Sequence, residues 1–162
     1  MALHTVYIGL GSNEGDRRAL LCLAVQRLAK EVGNIERMSD FIETEPWGFV
    51  SSFAFFNAVV ECRTELTPQK ILERTQQIEQ ELGRKNKSVG GDYQNRPIDL
   101  DILLYDDCIV ETDRLTIPHP LLYKRAFVLR SMVELVPDLL HPKVGITMKG
   151  LLEEAVRLEK SK

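Results

Sequence analysis

The chain has 162 residues, of which 44% are hydrophobic and 28% charged, and its formal net charge is −3. This length predicts one domain, residues 1–162, and the charge balance argues against a broad basic surface for nucleic acid. No apolar run is long enough to cross a bilayer, and the first residues lack the pattern of a secretory signal. Three widely spaced cysteines form neither a zinc pattern nor a disulfide framework, so we expect reduced thiols in a cytoplasmic protein.

The first hundred residues alternate between strand and helix patterns. In chain order we predict a strand over 5–10, a helix over about 16–32, strands over 35–45 and 54–63, a helix over 67–83, a polar loop over roughly 84–96 and a buried strand. Gly33 is expected to end the first helix, while Thr67 and Pro68 begin the second. In GLGSN (9–13) the glycines are interpreted as the turn from the first strand into the first helix.

This order predicts an α/β fold of the α+β type, with a ferredoxin-like βαββαβ core and a mostly antiparallel sheet. Short strands near 108–110 and 114–117 follow, then a helix near 125–135 and an amphipathic helix after Thr147. Both core helices should cover one face of the sheet. The other face is then open for a functional site.

The buried strand carries a pair of carboxylates in the segment RPIDLDILLYDD (96–107). Asp99 and Asp101 are two residues apart and should therefore point to one face. Two carboxylates this close need a cation, either a structural Arg or Lys partner or a divalent metal, and hard oxygen ligands favour Mg²⁺. Basic residues that suit a polyphosphate flank the strand on both sides, namely Arg84, Lys85, Lys87, Arg96, Arg114, His119 and Arg125.

Aromatic and amide side chains indicate a pocket for a second substrate. Trp47 lies in a loop pattern, and Phe55 and Asn57 should share one face of the third strand. Asn57 could read the donors and acceptors of a flat heterocycle, with Phe55 and Phe127 stacked on the ring. The alternative is that these aromatic residues only fill the core.

Seven short segments in order resemble the family of 6-hydroxymethyl-7,8-dihydropterin pyrophosphokinases. They run from residue 9, and the resemblance continues to about residue 137. The segments are GLGSN (9–13), TEPWG (44–48), FFNAVV (55–60), QQIEQELGR (76–84), RPIDLDILLY (96–105), RLTIPHP (114–120) and RAFVL (125–129). The resemblance implies a ferredoxin-like fold and a Mg²⁺-dependent transferase of folate biosynthesis. Such an enzyme moves the pyrophosphate of ATP onto the pterin hydroxymethyl group and releases AMP.

The resemblance also implies the roles of individual residues. Two Mg²⁺ ions would bind Asp99 and Asp101, and Arg84 and Arg96 would be further catalytic residues. The pterin would contact Thr44, Trp47, Phe55, Asn57 and Phe127. ATP would contact Gln76, Glu79, Arg84, Arg96, Ile102, Arg114, Thr116, His119 and Arg125. We expect a monomer whose partners are ATP and the pterin, with no nucleic-acid or membrane partner.

The loop over 84–96 departs from the family pattern at two places. The family often has a second arginine two places after the one matching Arg84, where this chain has Asn86 between two lysines. The family also often has Gly-Pro before the arginine matching Arg96, where Gln-Asn stands at 94–95. Lysine supplies charge without the bidentate fork of arginine, so one phosphate contact is expected to differ.

Three rival interpretations remain open from the sequence. A ferredoxin-like regulatory module would explain the fold but not the aspartate pair among basic residues. An RNA-binding domain of this fold conflicts with the acidic balance and with carboxylates on the sheet. A related Mg²⁺-dependent kinase or nucleotidyltransferase would use the same chemistry on another acceptor.

Overall fold

The computed structural model of the chain describes residues 2–44, 55–83 and 97–160. The strands are β1 (His4–Ser12), β2 (Asn34–Met38), β3 (Ile42–Thr44), β4 (Phe55–Thr64), β5 (Asp99–Tyr105), β6 (Val110–Glu111) and β7 (Thr116–Ile117). The helices are α1 (Arg17–Glu31), α2 (Pro68–Glu81), α3 (Ala126–Leu135) and α4 (Met148–Lys160), with a 3₁₀ turn at Leu122–Lys124. No helix in these ranges is long and apolar enough to span a bilayer.

The main sheet has the strand order β2-β4-β1-β5, and β3 also pairs with β4. Every one of these pairings is antiparallel. The first strand therefore lies between the two strands that come later in the chain, as a βαββαβ core requires. The predicted ferredoxin-like fold with its C-terminal strands and helices is confirmed.

The second predicted strand is interrupted. It was expected to run over 35–45, but β2 and β3 are separated at Ser39–Phe41. Ser39 holds this break against β4, because its N–H donates to Val59 O at 2.9 Å and its Oγ accepts from Val59 N at 2.8 Å. The next amide, Asp40 N, donates to the Glu134 carboxylate at 2.9 Å. A side-chain contact therefore replaces the regular ladder here.

Helices α1 and α2 cover one face of the sheet, as predicted. Asp16 caps α1 by accepting from Ala19 N at 3.1 Å, and Thr67 caps α2 by accepting from Lys70 N at 3.3 Å. The buried apolar residues between these helices and the sheet include Leu21, Leu28, Ile71, Ile78, Val6, Ile8, Leu100 and Ile102. Burial of this apolar surface is the main force that holds the two helices on the sheet.

The opposite face is not fully open, which corrects the expectation from sequence. Helices α3 and α4 cover part of it and form a second core with Tyr7, Val59 and Leu104. The register of β5 against β1 shifts between Tyr7 and Ile8, which leaves Leu103 as an extra residue. Leu103 and Leu104 are consequently both buried in this second core. The candidate site occupies the part of the face that α3 and α4 leave uncovered.

Candidate active site

The two aspartates lie side by side at the uncovered end of β5. Asp99 is opposite Gly11 and Asp101 is opposite Gly9 in the pairing with β1. Both are partly exposed, whereas Leu100 and Ile102 between and after them are buried under α1 and α2. The strand thus directs its carboxylates to the site and its apolar side chains to the core, as the alternation predicts.

The glycines of GLGSN lie within β1 and not, as predicted, in the turn that follows it. Strand β1 continues through both of them to Ser12, and the turn into α1 contains Gly15 with a φ of +71°. Gly11 pairs with Asn57 on one side and Asp99 on the other. A Cβ atom on Gly11 would lie 3.1 Å from Asn57 Oδ1. The glycines therefore form a flat floor between the amide and the carboxylates.

An inner pocket lies on this floor and encloses about 100 Å³. Thr44, Phe55, Asn57 and Phe127, four of the five residues predicted to contact a pterin, line it together. Asn57 Nδ2 donates to Thr44 Oγ1 at 2.9 Å and is within 3.3 Å of Ile42 O. This bonding fixes the amide so that its oxygen lies toward Gly11. The pocket combines aromatic walls with a fixed amide, which suits a flat polar ring.

An outer cleft of about 420 Å³ runs along the edge of β5 that faces away from β1, between α2 and β7. It is lined by Gln76, Glu79, Ile102, Arg114 and Thr116, all of which were predicted to contact ATP. Glu79 is only 5% exposed and accepts from Leu100 N at 2.8 Å. This bond satisfies an amide at the edge of the sheet that none of the described strands pairs with. Leu100 lies between the two aspartates, so Glu79 also supports the carboxylate pair.

The inner pocket and the outer cleft share one wall. Asp99, Asp101, His119 and Arg125 line both spaces. A group bound in the pocket and a group bound in the cleft would therefore meet at the carboxylates. Arg125 precedes α3 directly, and its guanidinium carbon lies 6.0 Å from the centroid of the Phe127 ring.

His119 contributes a neutral ring to this wall. Its Nε2 is 4.0 Å from Asp101 Oδ1, a distance at which an ion pair would be possible. Burial and the nearby Arg125 charge, however, lower the pKa of His119 to about 4, despite the opposing effect of Asp99. Since Nδ1 accepts from Leu121 N at 3.1 Å, the proton of the neutral ring is on Nε2. At pH 7 the shared wall thus presents an uncharged N–H donor next to the carboxylates.

Residues 7–137 match the family described as 7,8-dihydro-6-hydroxymethylpterin-pyrophosphokinase, abbreviated HPPK. The chain belongs to the HPPK family. It is 50% identical over 139 residues to a 2-amino-4-hydroxy-6-hydroxymethyldihydropteridine pyrophosphokinase of Porphyromonas gingivalis, a match that covers 85% of this chain and 94% of the relative. It is 40% identical over 157 residues to the protein of the same name from Bacillus subtilis, with 96% and 90% covered.

Solved HPPK-containing structures share the fold. A crystal structure of an HPPK-DHPS in complex with substrates superposes with a TM-score of 0.79 at 16% identity and covers 99% of this chain. An HPPK-DHPS of Plasmodium falciparum gives a TM-score of 0.77 at 15% identity, with 99% covered. The chain spans slightly less than half of each of these two structures, 45% and 46%. HPPK domains therefore occur both in proteins of this length and in longer ones.

Some predicted site residues lie outside the described ranges. These are Trp47, Arg84 and Arg96, and the two departures from the family pattern in the loop over 84–96 lie there as well. Conversely, the inner pocket includes five residues that were not predicted from the sequence, namely Gly9, Gly11, Leu122, Val128 and Ser131. The spacing of four between Phe127 and Ser131 on a helix was a signal that could have found the last of these.

Proposed function

We propose that this chain transfers the pyrophosphoryl group of ATP to 6-hydroxymethyl-7,8-dihydropterin, giving the pterin diphosphate and AMP in folate biosynthesis. The observation that carries the proposal is the shared wall, because the inner pocket and the outer cleft meet at Asp99 and Asp101. Membership in the HPPK family supports the same reaction. The two adjoining spaces with a carboxylate pair between them also argue against the regulatory and RNA-binding alternatives, because neither function needs such an arrangement.

In this proposal the inner pocket binds the pterin. Phe55 and Phe127 contact the faces of the ring, and Asn57, held by Thr44, reads its polar edge. The hydroxymethyl group then points to the shared wall. Because the amide is fixed before binding, little order has to be created when the ring enters.

ATP occupies the outer cleft, with its phosphates toward the shared wall. Arg125 and the Nε2–H of His119 would donate to phosphate oxygens, and Arg84 and Arg96 would add positive charge. The pterin hydroxyl oxygen attacks the β-phosphorus in line. The bond from that phosphorus to the α–β bridging oxygen breaks, AMP leaves with this oxygen, and the hydroxyl proton passes to solvent.

Mg²⁺ fits the carboxylate pair by the chemistry of its donors. Among the described residues no group of three or more His, Cys, Asp or Glu side chains forms a closed metal cage. Asp99 and Asp101 instead offer hard oxygen ligands between two open spaces, which suits an ion that keeps water and phosphate oxygens as its other ligands. Two Mg²⁺ ions bound there would neutralise phosphate charge and lower the pKa of the pterin hydroxyl.

The reaction is tested by measuring AMP release from ATP and Mg²⁺, with and without the pterin, alongside mass spectrometry of the pterin product. We expect AMP only when the pterin is present, together with a pterin that has gained two phosphates. ADP as the product would instead indicate transfer of one phosphoryl group. AMP release that does not depend on the pterin would favour another acceptor.

The carboxylate pair is tested with Asp99→Asn and Asp101→Asn. Each should lower turnover by at least about 100-fold, because the charge that holds the metal ions is lost. The circular dichroism spectrum should be unchanged, since both side chains are partly exposed. Asp107→Asn is the matched control, because Asp107 is exposed just beyond the same strand and should keep full activity. Mg²⁺-dependent activity that survives in both variants would contradict the assignment.

A further inference from the structure

Ser131 is a buried hydroxyl on the wall of the inner pocket. It lies one helical turn after Phe127 on α3, and both residues line this pocket. Ser131 is only 1% exposed. Its Oγ atom has no hydrogen-bond partner among the residues that the structure describes.

A buried hydroxyl without a partner destabilises a folded protein, and most such groups are hydrogen-bonded. Within a helix, a serine or threonine can satisfy its hydroxyl by donating to a carbonyl one turn earlier. Thr75 in α2 does so, with Oγ1 donating to Leu72 O at 3.0 Å. Ser131 does not use this local solution. Its hydroxyl consequently keeps an unused hydrogen-bonding capacity in the wall of the pocket.

We infer that Ser131 determines acceptor specificity by forming a hydrogen bond with a polar atom of the bound heterocycle, directly or through one ordered water. This inference rests on the function proposed above. Asn57 and Thr44 read the ring from the β3–β4 side, and Ser131 adds a contact from the α3 side. Ser131 does not line the outer cleft, so its contact acts on the acceptor and not on the nucleotide.

The test is isothermal titration of 6-hydroxymethyl-7,8-dihydropterin into the wild-type chain and Ser131→Ala. Mg²⁺ and α,β-methylene-ATP are present, because this analogue lacks the bond that the transfer breaks. We expect the Kd of the pterin to rise about tenfold, the loss of one hydrogen bond worth about 1.4 kcal/mol. The Kd of the nucleotide analogue should stay within about twofold. The Tm of the ligand-free variant should be equal or higher, because a buried unsatisfied hydroxyl is removed.

Thr75→Val is the matched control. It removes a buried helical hydroxyl that is bonded within α2, so its Kd for the pterin should equal that of the wild type. Equal Kd values for the wild type and Ser131→Ala would overturn the role of Ser131 alone. Equal weakening in both variants would also overturn it, since general loosening would then be the cause. No binding of the pterin by the wild-type chain would overturn the proposed function, and the role of Ser131 with it.

Discussion

Glu79 shows how one buried carboxylate can serve both the fold and the site. It lines the outer cleft, yet its Oε2 accepts from the backbone of Leu100, between Asp99 and Asp101. Resemblance to the family predicted a contact with ATP, and that contact stays a prediction. The hydrogen bond adds a positioning role, because the spacing of the two aspartates depends on the backbone that Glu79 holds.

Replacing Glu79 should separate this role from the effect of its charge. Glu79→Ala leaves the buried Leu100 N–H without its partner, so we expect a loss of about 1–2 kcal/mol in the free energy of unfolding. Turnover should fall about tenfold through displacement of the carboxylate pair. Glu79→Gln keeps an acceptor oxygen at the same reach and should restore most of the stability, as measured by urea denaturation. Equal stability of the wild type and Glu79→Ala would contradict the positioning role.

At the scale of elements, the connection between α1 and β2 depends on Gly33. A Cβ atom at this position would lie 1.9 Å from Arg63 O, a backbone atom of β4. Its φ is not among the positive values of the described glycines, which occur at Gly15, Gly83 and Gly145. Gly33 was predicted to stop α1, and it does follow the helix. The structure shows that glycine is needed here because two backbones approach closely.

Gly33→Ala should therefore destabilise the chain by about 3 kcal/mol, because β4 would have to move away from the end of α1. Gly145→Ala is the matched comparison. Gly145 has a φ of +71° and no atom within 4 Å of the position of its added Cβ. Its substitution should cost only about 1 kcal/mol, the strain of a left-handed backbone. Thermal unfolding of both variants tests whether Gly33→Ala loses more stability than Gly145→Ala. A smaller loss of stability for Gly33→Ala would be inconsistent with the close approach of the two backbones.

The elements themselves were largely predictable from local signals. Capping by Asp16 and Thr67, the proline that begins α2 and the apolar period of the helices all act within a few residues. The break between β2 and β3 was missed because Ser39 bonds to Val59 of another strand. The partial cover of the second sheet face was missed for a similar reason, since the way α3 and α4 dock depends on distant residues such as Tyr7 and Val59.

At the scale of the whole molecule, one polar network ties the outer helical layer to the sheet. Tyr7 of β1 donates to Glu61 of β4 at 2.5 Å, and Arg37 of β2 binds the same carboxylate with two hydrogen bonds. Arg37 also donates to the carbonyl of Leu135, at the end of α3, at 2.7 Å. Since α3 forms a wall of the inner pocket, this network holds that wall against the sheet.

Arg37→Ala should lower the free energy of unfolding by about 2 kcal/mol at pH 7, because Glu61 is buried and loses its charged partner. Arg130→Ala removes an exposed arginine from α3 and should change the free energy of unfolding by less than about 0.5 kcal/mol. Chemical denaturation of both variants gives the comparison. An Arg37→Ala variant as stable as Arg130→Ala would show that the network does not stabilise the fold.

The contribution of this network should also depend on pH. Hydrogen bonding to Arg37, the largest effect, lowers the pKa of Glu61 below its ordinary value of 4.5. A carboxyl whose pKa is lowered in the folded state stabilises the fold at pH values above its pKa in the unfolded state. This stabilisation is lost as the pH falls through the pKa of the folded state. The difference between wild type and Arg37→Ala should thus be constant above about pH 5 and shrink below about pH 4.

The site was predictable where one residue carries a strong chemical signal, as with Asp99, Asp101 and Asn57. It was less predictable where the chemistry belongs to a contact between elements. Gly11 matters because of its neighbours on β4 and β5, and Ser131 because of where α3 docks. His119 was expected among basic residues, but burial beside Arg125 makes it neutral, which only the fold reveals.

The alternation along β5 has a consequence for folding. Asp99 and Asp101 face the site, while Leu100 and Ile102 face the core under α1 and α2. If β5 paired with β1 one residue out of step, both carboxylates would enter that core and two large apolar side chains would enter water. The same charges that the proposed reaction needs would thus destabilise the misaligned sheet. Selection for turnover and selection against misfolding therefore act on the same two side chains.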